Sequence, residues 1–398
     1  MRYLARSLTI VARHYLDHAS TSPLRTVARD AMVEALQMQS DGQLGDPGRI
    51  HSEGMTARAL LENAREQVAT LLGAKQREIV FTSGATESIA AATWGALRRS
   101  VANGVSPHVV FSSVEHSAVR RSSETFVQAL EGSVSIVGVD PTGRINVDEF
   151  IDALTPNTAL AHIQWGNHEV GTLQPIAELA AACKEREILV HVDAAQAVGH
   201  VAVCPKDLGI DLLSFSGHKF GGPTGIGGLW IRQGLRIEPL LSGGEQERAR
   251  RAGLENLPAA IGLGAVAAEL TEATLAAEQA AARNLLATAL ERLASTPGIS
   301  LLGPTDADHR LPHLLCLAVD GVEPQGVVLG LDRRGIALHS GSSCASEGLE
   351  PSPVLEAMGV DAHRSLRISV GHNTTPADID AVCDELPRVV DELRSLSA

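Results

Sequence analysis

Between residues 56 and 235 the chain alternates helical stretches with short runs rich in valine, isoleucine and leucine, and this alternation constrains its fold more than any other feature. The runs at 78–82, 108–113, 133–138, 159–164, 188–193, 211–215 and 228–232 are each bounded by turn or helix signals. Seven strands separated by helices predict an α/β fold with one mostly parallel sheet flanked by helices. A chain of 398 residues with 44% hydrophobic content can bury a large core and exceeds what a single domain usually needs.

The remainder is expected to form a smaller α+β domain. Pro258 sits at a first helical position, and an alanine- and leucine-rich stretch runs from there to Thr296, where Pro297-Gly298 stops it; the pattern predicts one long inter-domain helix. Strands are expected at 313–319 and 365–370, with helices near 323–334, 352–358 and 376–396. The expected division is a segment 1–28 packing with the small domain, a large domain 29–257, and 258–398 as the inter-domain helix with the small domain.

Charge excludes several functions. A net charge of −14 with no basic run repels phosphate backbones and anionic lipid, so no direct nucleic-acid or membrane contact is expected. The apolar runs near Met1 to Arg13 are too short for a signal peptide or membrane span, and a loose extension is expected there. Five irregularly spaced cysteines with no metal-ligand pattern suit a reducing, cytoplasmic setting and no bound metal.

Three segments carry chemistry. Ser83-Gly84-Ala85-Thr86 lies between an apolar strand and a helical stretch, so its backbone N–H groups suit a phosphate; a plain helix cap is the alternative. Asp193, in His191-Val192-Asp193-Ala194-Ala195-Gln196, ends a buried strand at the edge where open α/β sheets place ligands. A carboxylate there can hold the protonated nitrogen of a pyridoxal ring, though it too can cap a helix. Lys219 follows the next strand in Ser216-Gly217-His218-Lys219 and faces a glycine-rich turn, which makes it the Schiff-base candidate, with Ser216 and His218 in reach of a phosphate.

The ordered motifs SGATES (83–88), VEHSAV (114–119), NHEVG (167–171), HVDAAQAVGH (191–200) and SFSGHKFGGPTGIG (214–227) resemble the class V aminotransferase superfamily, of pyridoxal-phosphate fold type I, and within it the cysteine desulfurases. The likeness runs from Tyr15 to Arg367. It implies pyridoxal 5'-phosphate as cofactor, with Lys219 as the lysine that bonds it and moves the substrate Cα proton. By the same resemblance Asp193 meets the pyridine nitrogen, Gln196 lies near the ring hydroxyl, and His116 stacks on the ring and acts as acid and base. Ala85, Thr86, Ser216 and His218 would hold the phosphate. Asn167 would lie near the ring oxygen and substrate carboxylate, and Arg367 would clamp that carboxylate with its planar fork.

Cys183, Cys204, Cys316 and Cys383 read as small packing residues, whereas Cys344 lies in the small polar run 339–348 that cannot build a core and predicts a loop. The run resembles the group I desulfurase loop, ahead of Pro351-Ser352-Pro353-Val354-Leu355, whose cysteine attacks the substrate sulfur. The implied reaction turns L-cysteine into L-alanine, leaves a persulfide on Cys344 and hands sulfur to an acceptor protein from a homodimer. A selenocysteine lyase, an aminotransferase or a non-catalytic scaffold remain alternatives, with Cys344 as discriminator. Leu254 stands where the family commonly has a threonine that reaches the partner subunit's cofactor phosphate, and His18 and His168 replace residues that are usually asparagine.

Overall fold

The computed structural model describes residues 13–341 and 351–397. Its strands are β1 (His14–Tyr15), β2 (Ile79–Thr82), β3 (His108–Ser112), β4 (Ser133–Val137), β5 (Thr158–Gln164), β6 (Leu189–Asp193), β7 (Leu212–Ser216), β8 (Gly227–Ile231), β9 (Ile299–Leu302), β10 (Leu314–Val319), β11 (Ile336–Ala337) and β12 (Ser365–Ser369). All seven expected strands of the large sheet are present, in the order β2-β8-β7-β6-β5-β3-β4. Six share one direction, while β8 runs antiparallel to both neighbours. The ten residues between β7 and β8 are too few for a crossover helix, so β8 must return as a hairpin partner. Outward from β5 the order climbs on one side and falls back on the other, and such a reversal opens a crevice at the carboxyl edge of the sheet.

A smaller antiparallel sheet, β12-β10-β9, and the parallel pair β1-β11 lie in a second core. The N-terminal segment joins this core through Leu16 and through a bridge from Asp17 to Ser369. β9 was not expected, because Ile-Ser-Leu-Leu directly follows the Pro297-Gly298 stop and offers only four residues of pattern.

The long inter-domain helix expected over 258–296 is instead two helices, Leu257–Glu269 and Glu272–Leu293, bent by 80°. Leu270 leaves the helical region with φ −78° and ψ 59°, and the Thr271 side chain caps the second helix by accepting from Thr274 N–H at 3.2 Å. The two pieces serve different cores, which is why the break is needed. Leu257–Glu269 packs into the first core against the helices Thr26–Ser40 and Ser52–Leu71. Its glycines permit that approach: a Cβ at Gly264 would lie 2.7 Å from Ala64 Cα, and one at Gly262 would lie 2.7 Å from Met32 Cγ. Glu272–Leu293 buries Ala282, Leu286, Ala289 and Leu293 in the second core. Among the described residues no single helix is long and apolar enough to cross a membrane.

Candidate active site

The carboxyl ends of β2, β5, β6 and β7 open into a cavity of about 540 Å³, closed from the other side by Ala19, Ser20, His339 and Arg367. Each wall follows from a local feature of the sequence. After β2 the chain turns at Gly84 into the helix Ala85–Ala102. Gly84 has φ +154° and ψ −178°, and a Cβ there would meet Ser216 Oγ at 3.3 Å, so only glycine lets the turn lie this close to β7. Ser83, Gly84, Ala85 and Thr86 thus present a helix N-terminus to the cavity, the setting that suits an anion. Glu87 holds the turn by accepting from Ser83 N–H at 2.8 Å while pairing with Arg251 at 2.9 Å.

His116 caps the helix Ser117–Ala129, its Nδ1 accepting from Ala118 N–H at 3.1 Å. That bond leaves the proton of the neutral ring on Nε2. Burial lowers the pKa of His116, with nearby Asp193 opposing the shift. Its ring meets that of His168 edge to face at 5.1 Å. Asp193 is buried at the end of β6 and, among the described residues, accepts one hydrogen bond, from Ala195 N–H at 3.0 Å. Desolvation raises its pKa, partly countered by His116 and Lys219. Lys219 Nζ donates to the carbonyls of Ala19 at 2.7 Å and Ser20 at 3.0 Å. Burial, then the charge of Arg367, bring its pKa down to about 8. His218 is likewise pushed down to about 4 by burial and by Lys219.

Ala85, Thr86, His116, Asp193, Gln196, Ser216, His218, Lys219 and Arg367 all line this one cavity. Arg367 is buried and donates to Asp17 at 2.9 Å, Ser20 Oγ at 2.7 Å and the His168 carbonyl at 2.8 Å. Asn167 is not among the lining residues; its side chain bonds within its own turn and to the Val114 carbonyl. Its Oδ1 accepts from the N–H groups of Glu169 at 2.8 Å and Val170 at 2.9 Å, and its Nδ2 donates to Val114 O and Gln164 Oε1, each at 3.1 Å. Gly166 and His168 take the wall position in its place. In this structure the Asn167 side chain latches the turn after β5.

Gln164, Ala19 and Ser20 were missed as wall residues. Gln164 could have been found as the last residue of β5, which stands beside Asp193 in register. Ala19 and Ser20 carried no local signal, since only the docking of the N-terminal segment brings them to Lys219. Of the cysteines, Cys183, Cys316 and Cys383 are buried and Cys204 is half-buried; burial pushes the thiols of Cys183 and Cys316 up to about 12. Cys344 lies outside the described residues.

These residues fit pyridoxal phosphate. The helix N-terminus at Gly84 offers N–H groups with no side chain in the way, Asp193 is a buried carboxylate short of donors, and Lys219 is a lysine of lowered basicity beside it.

A family model described as aminotransferase class-V matches residues 14–382. A cysteine desulfurase of Cereibacter sphaeroides is 40% identical over 391 residues, 97% of each chain. A cysteine desulfurase IscS of Methanosarcina thermophila is 39% identical over 96% of this chain and 93% of its own. Among solved structures, a NifS-like protein superposes with a TM-score of 0.87 at 30% identity, covering 96% of this chain and all (100%) of the other. A structure described as SspA in complex with cysteine matches with a TM-score of 0.77 at 31% identity over 90% of this chain and 98% of that one. With motifs, sheet order and cavity in agreement, the chain belongs to the class-V aminotransferase family and, within it, to the cysteine desulfurases, whose cofactor is pyridoxal 5'-phosphate.

Proposed function

We propose that the protein takes sulfur from free L-cysteine onto Cys344, releases L-alanine and passes the sulfur to an acceptor protein. The observation that carries this reading is the meeting of Lys219, Asp193, His116 and Arg367 around one cavity in a chain 40% identical to a cysteine desulfurase over 97% of its length. The step balances: cysteine and the Cys344 thiol give alanine and a Cys344 persulfide, with the substrate C–S bond broken and an S–S bond formed.

Pyridoxal phosphate, when bound, supplies an electron sink for charge that builds at the substrate Cα. The chain's own residues do the rest. Ala85, Thr86, Ser216 and His218 would hold its phosphate, Asp193 would accept from its pyridine nitrogen, and Gln196 and His116 would border its ring. Lys219 Nζ, already easy to deprotonate, takes and returns the proton at Cα. Arg367 binds the substrate carboxylate by exchanging part of its contact with Asp17 and Ser20. His116 Nε2, which carries the proton of the neutral ring, would move a proton beside the cofactor.

Exposed Leu241 and Leu254 flank the glycine- and arginine-rich loop 243–253, which supports a homodimer interface there. We place the division between the two bodies at the break after Leu270 rather than before Pro258, because Leu257–Glu269 packs with the first core. Reduced thiols and the lack, among the described residues, of a membrane-crossing helix support a cytoplasmic setting.

The test is alanine and sulfide release from L-cysteine with a reductant, comparing wild type, Cys344→Ala and Lys219→Ala at matched cofactor loading. Alanine formation lost in both variants is the expected result. Alanine formation that survives without Cys344 would instead assign a lyase.

A further inference from the structure

Behind Lys219, two histidines from distant parts of the chain stack face to face. The rings of His200 and His313 lie 3.6 Å apart between centroids and 9° from parallel. His200 Nε2 is 3.1 Å from the backbone carbonyl of Lys219. A carbonyl only accepts, so His200 carries its proton on Nε2. His313 Nε2 is 3.2 Å from Gln196 Oε1, while Gln196 Nε2 donates to the Ala19 carbonyl at 2.9 Å. That second bond fixes the amide orientation and makes His313 Nε2 the donor as well. The same Ala19 carbonyl accepts from Lys219 Nζ at 2.7 Å. One end of the stack therefore holds the lysine's backbone, and the other holds, through Gln196 and Ala19, the atom against which its amine rests.

We propose that the His200–His313 stack is a positioning element for Lys219, aligning its amine in the cavity, and that it acts only while both rings are neutral. This deepens the reading of Lys219 as the cofactor lysine and rests on it. In the neutral pair both Nδ1 atoms are bare, and His313 Nδ1 is buried without a hydrogen-bond partner. A proton on either Nδ1 puts a cation against a second ring at stacking distance. The surroundings oppose that charge: Arg25, Lys219 and His372 act on His200, and His18, Arg367 and Lys219 act on His313. The nearest compensating carboxylates are committed elsewhere, Glu269 and Glu278 to Arg25 at 2.8 and 2.6 Å, and Asp17 to Arg367. Asp378, which acts on His18, pairs with His14. Burial brings His200 down to about 4 and His313 well below its ordinary value, so both are neutral at physiological pH.

Two substitutions in the holoenzyme separate hydrogen bond from packing. His313→Phe keeps a ring on His200 but cannot donate to Gln196; His313→Gln keeps a donor but cannot titrate. The readouts are kcat and KM for L-cysteine, the visible band of the lysine-bound cofactor followed against pH, and thermal melting. His313→Phe is expected to melt near wild type, to lower kcat on the order of tenfold with little change in KM, and to alter the pH response of the band. His313→Gln is expected to recover kcat to within about threefold and to shift the acid limb of the band's pH response, because the remaining ring of His200 no longer faces a second imidazole. An unchanged kcat and band in His313→Phe overturns the proposal, as does an equal loss in both variants that tracks their melting. If the Phe variant does not fold, the Gln variant decides alone, and an acid limb like that of wild type rejects the proposal. A wild type with neither the band nor alanine formation would refute the reading of Lys219 itself and with it this inference, a failure told apart because it precedes any substitution.

Discussion

Two sets of buried charge in this molecule are treated in opposite ways. Arg65 and Glu247 satisfy each other: the guanidinium forks onto the carboxylate at 2.5 and 2.8 Å, and also donates to Glu62 at 3.0 Å and the Ile79 carbonyl at 3.2 Å. Glu247 also accepts from Phe81 N–H at 3.0 Å. Burial works to lower the pKa of Arg65, yet the bonds and charge of Glu247 leave it raised. Around the cavity the balance reverses. Lys219 is lowered and Asp193 raised, so desolvation outweighs the attraction between the lysine and its carboxylate; Glu115, a buried neighbour of Asp193 outside the cavity lining, is raised by burial and by Asp193. Glu115 Oε2 is buried with no hydrogen-bond partner. The lesson is that the scaffold completes its charges internally, while the site keeps charges desolvated and short of partners, ready for a ligand to complete them.

The most severe way to break this contrast is Lys219→Ala. Alanine formation from L-cysteine should fall by at least about a thousandfold, since the amine that bonds the cofactor and moves the Cα proton is gone, while thermal melting should hold or rise because a desolvated amine has been removed. A large drop in melting temperature would place Lys219 with the scaffold charges instead. Arg65→Met is the mirror experiment. It leaves Glu247 buried without its cation and should cost about 3–5 kcal/mol of stability in urea unfolding, with kcat at low temperature nearly kept. Adding Glu247→Gln should restore most of that loss.

A smaller effect tests Glu115, whose carboxyl is pushed up to about 8 by burial and then by Asp193. A carboxyl raised in the folded state binds more protons there than when unfolded, so its contribution to stability declines as pH rises from about 4.5 to about 8. Glu115→Gln removes that decline and should gain on wild type across this window by on the order of 1–3 kcal/mol, read from unfolding curves at pH 5 and pH 8. A difference that is flat with pH would return Glu115 to the satisfied class. The smallest effect belongs to Leu254→Thr. A new donor toward the partner subunit's cofactor should tighten pyridoxal phosphate binding by about 1 kcal/mol, measured by cofactor titration of the apoprotein. Unchanged affinity would mean that another donor already serves there.

The sequence reading reached far into the large sheet because its signals are local. Each of the seven strands is a short apolar run ending at a turn; Asp193 and Ser216 are the last residues of β6 and β7, and Lys219 stands three residues past β7. The reading failed where two cores compete for one stretch of chain. Nothing between Glu269 and Glu272 is glycine or proline, so the pattern reads as one helix, yet packing turns it through 80°.

What the amino-acid sequence determined alone is therefore the set of strands, their turns and the residue types at their ends, because these depend on periodicity and on neighbours within a few positions. The tertiary structure alone decided which distant groups share a proton or a carbonyl. Ala19 lies 200 residues from Lys219, and His200 and His313 meet across two cores. Hydrogen bonds and desolvation act over a few ångströms of space, and no local pattern in a chain records that distance.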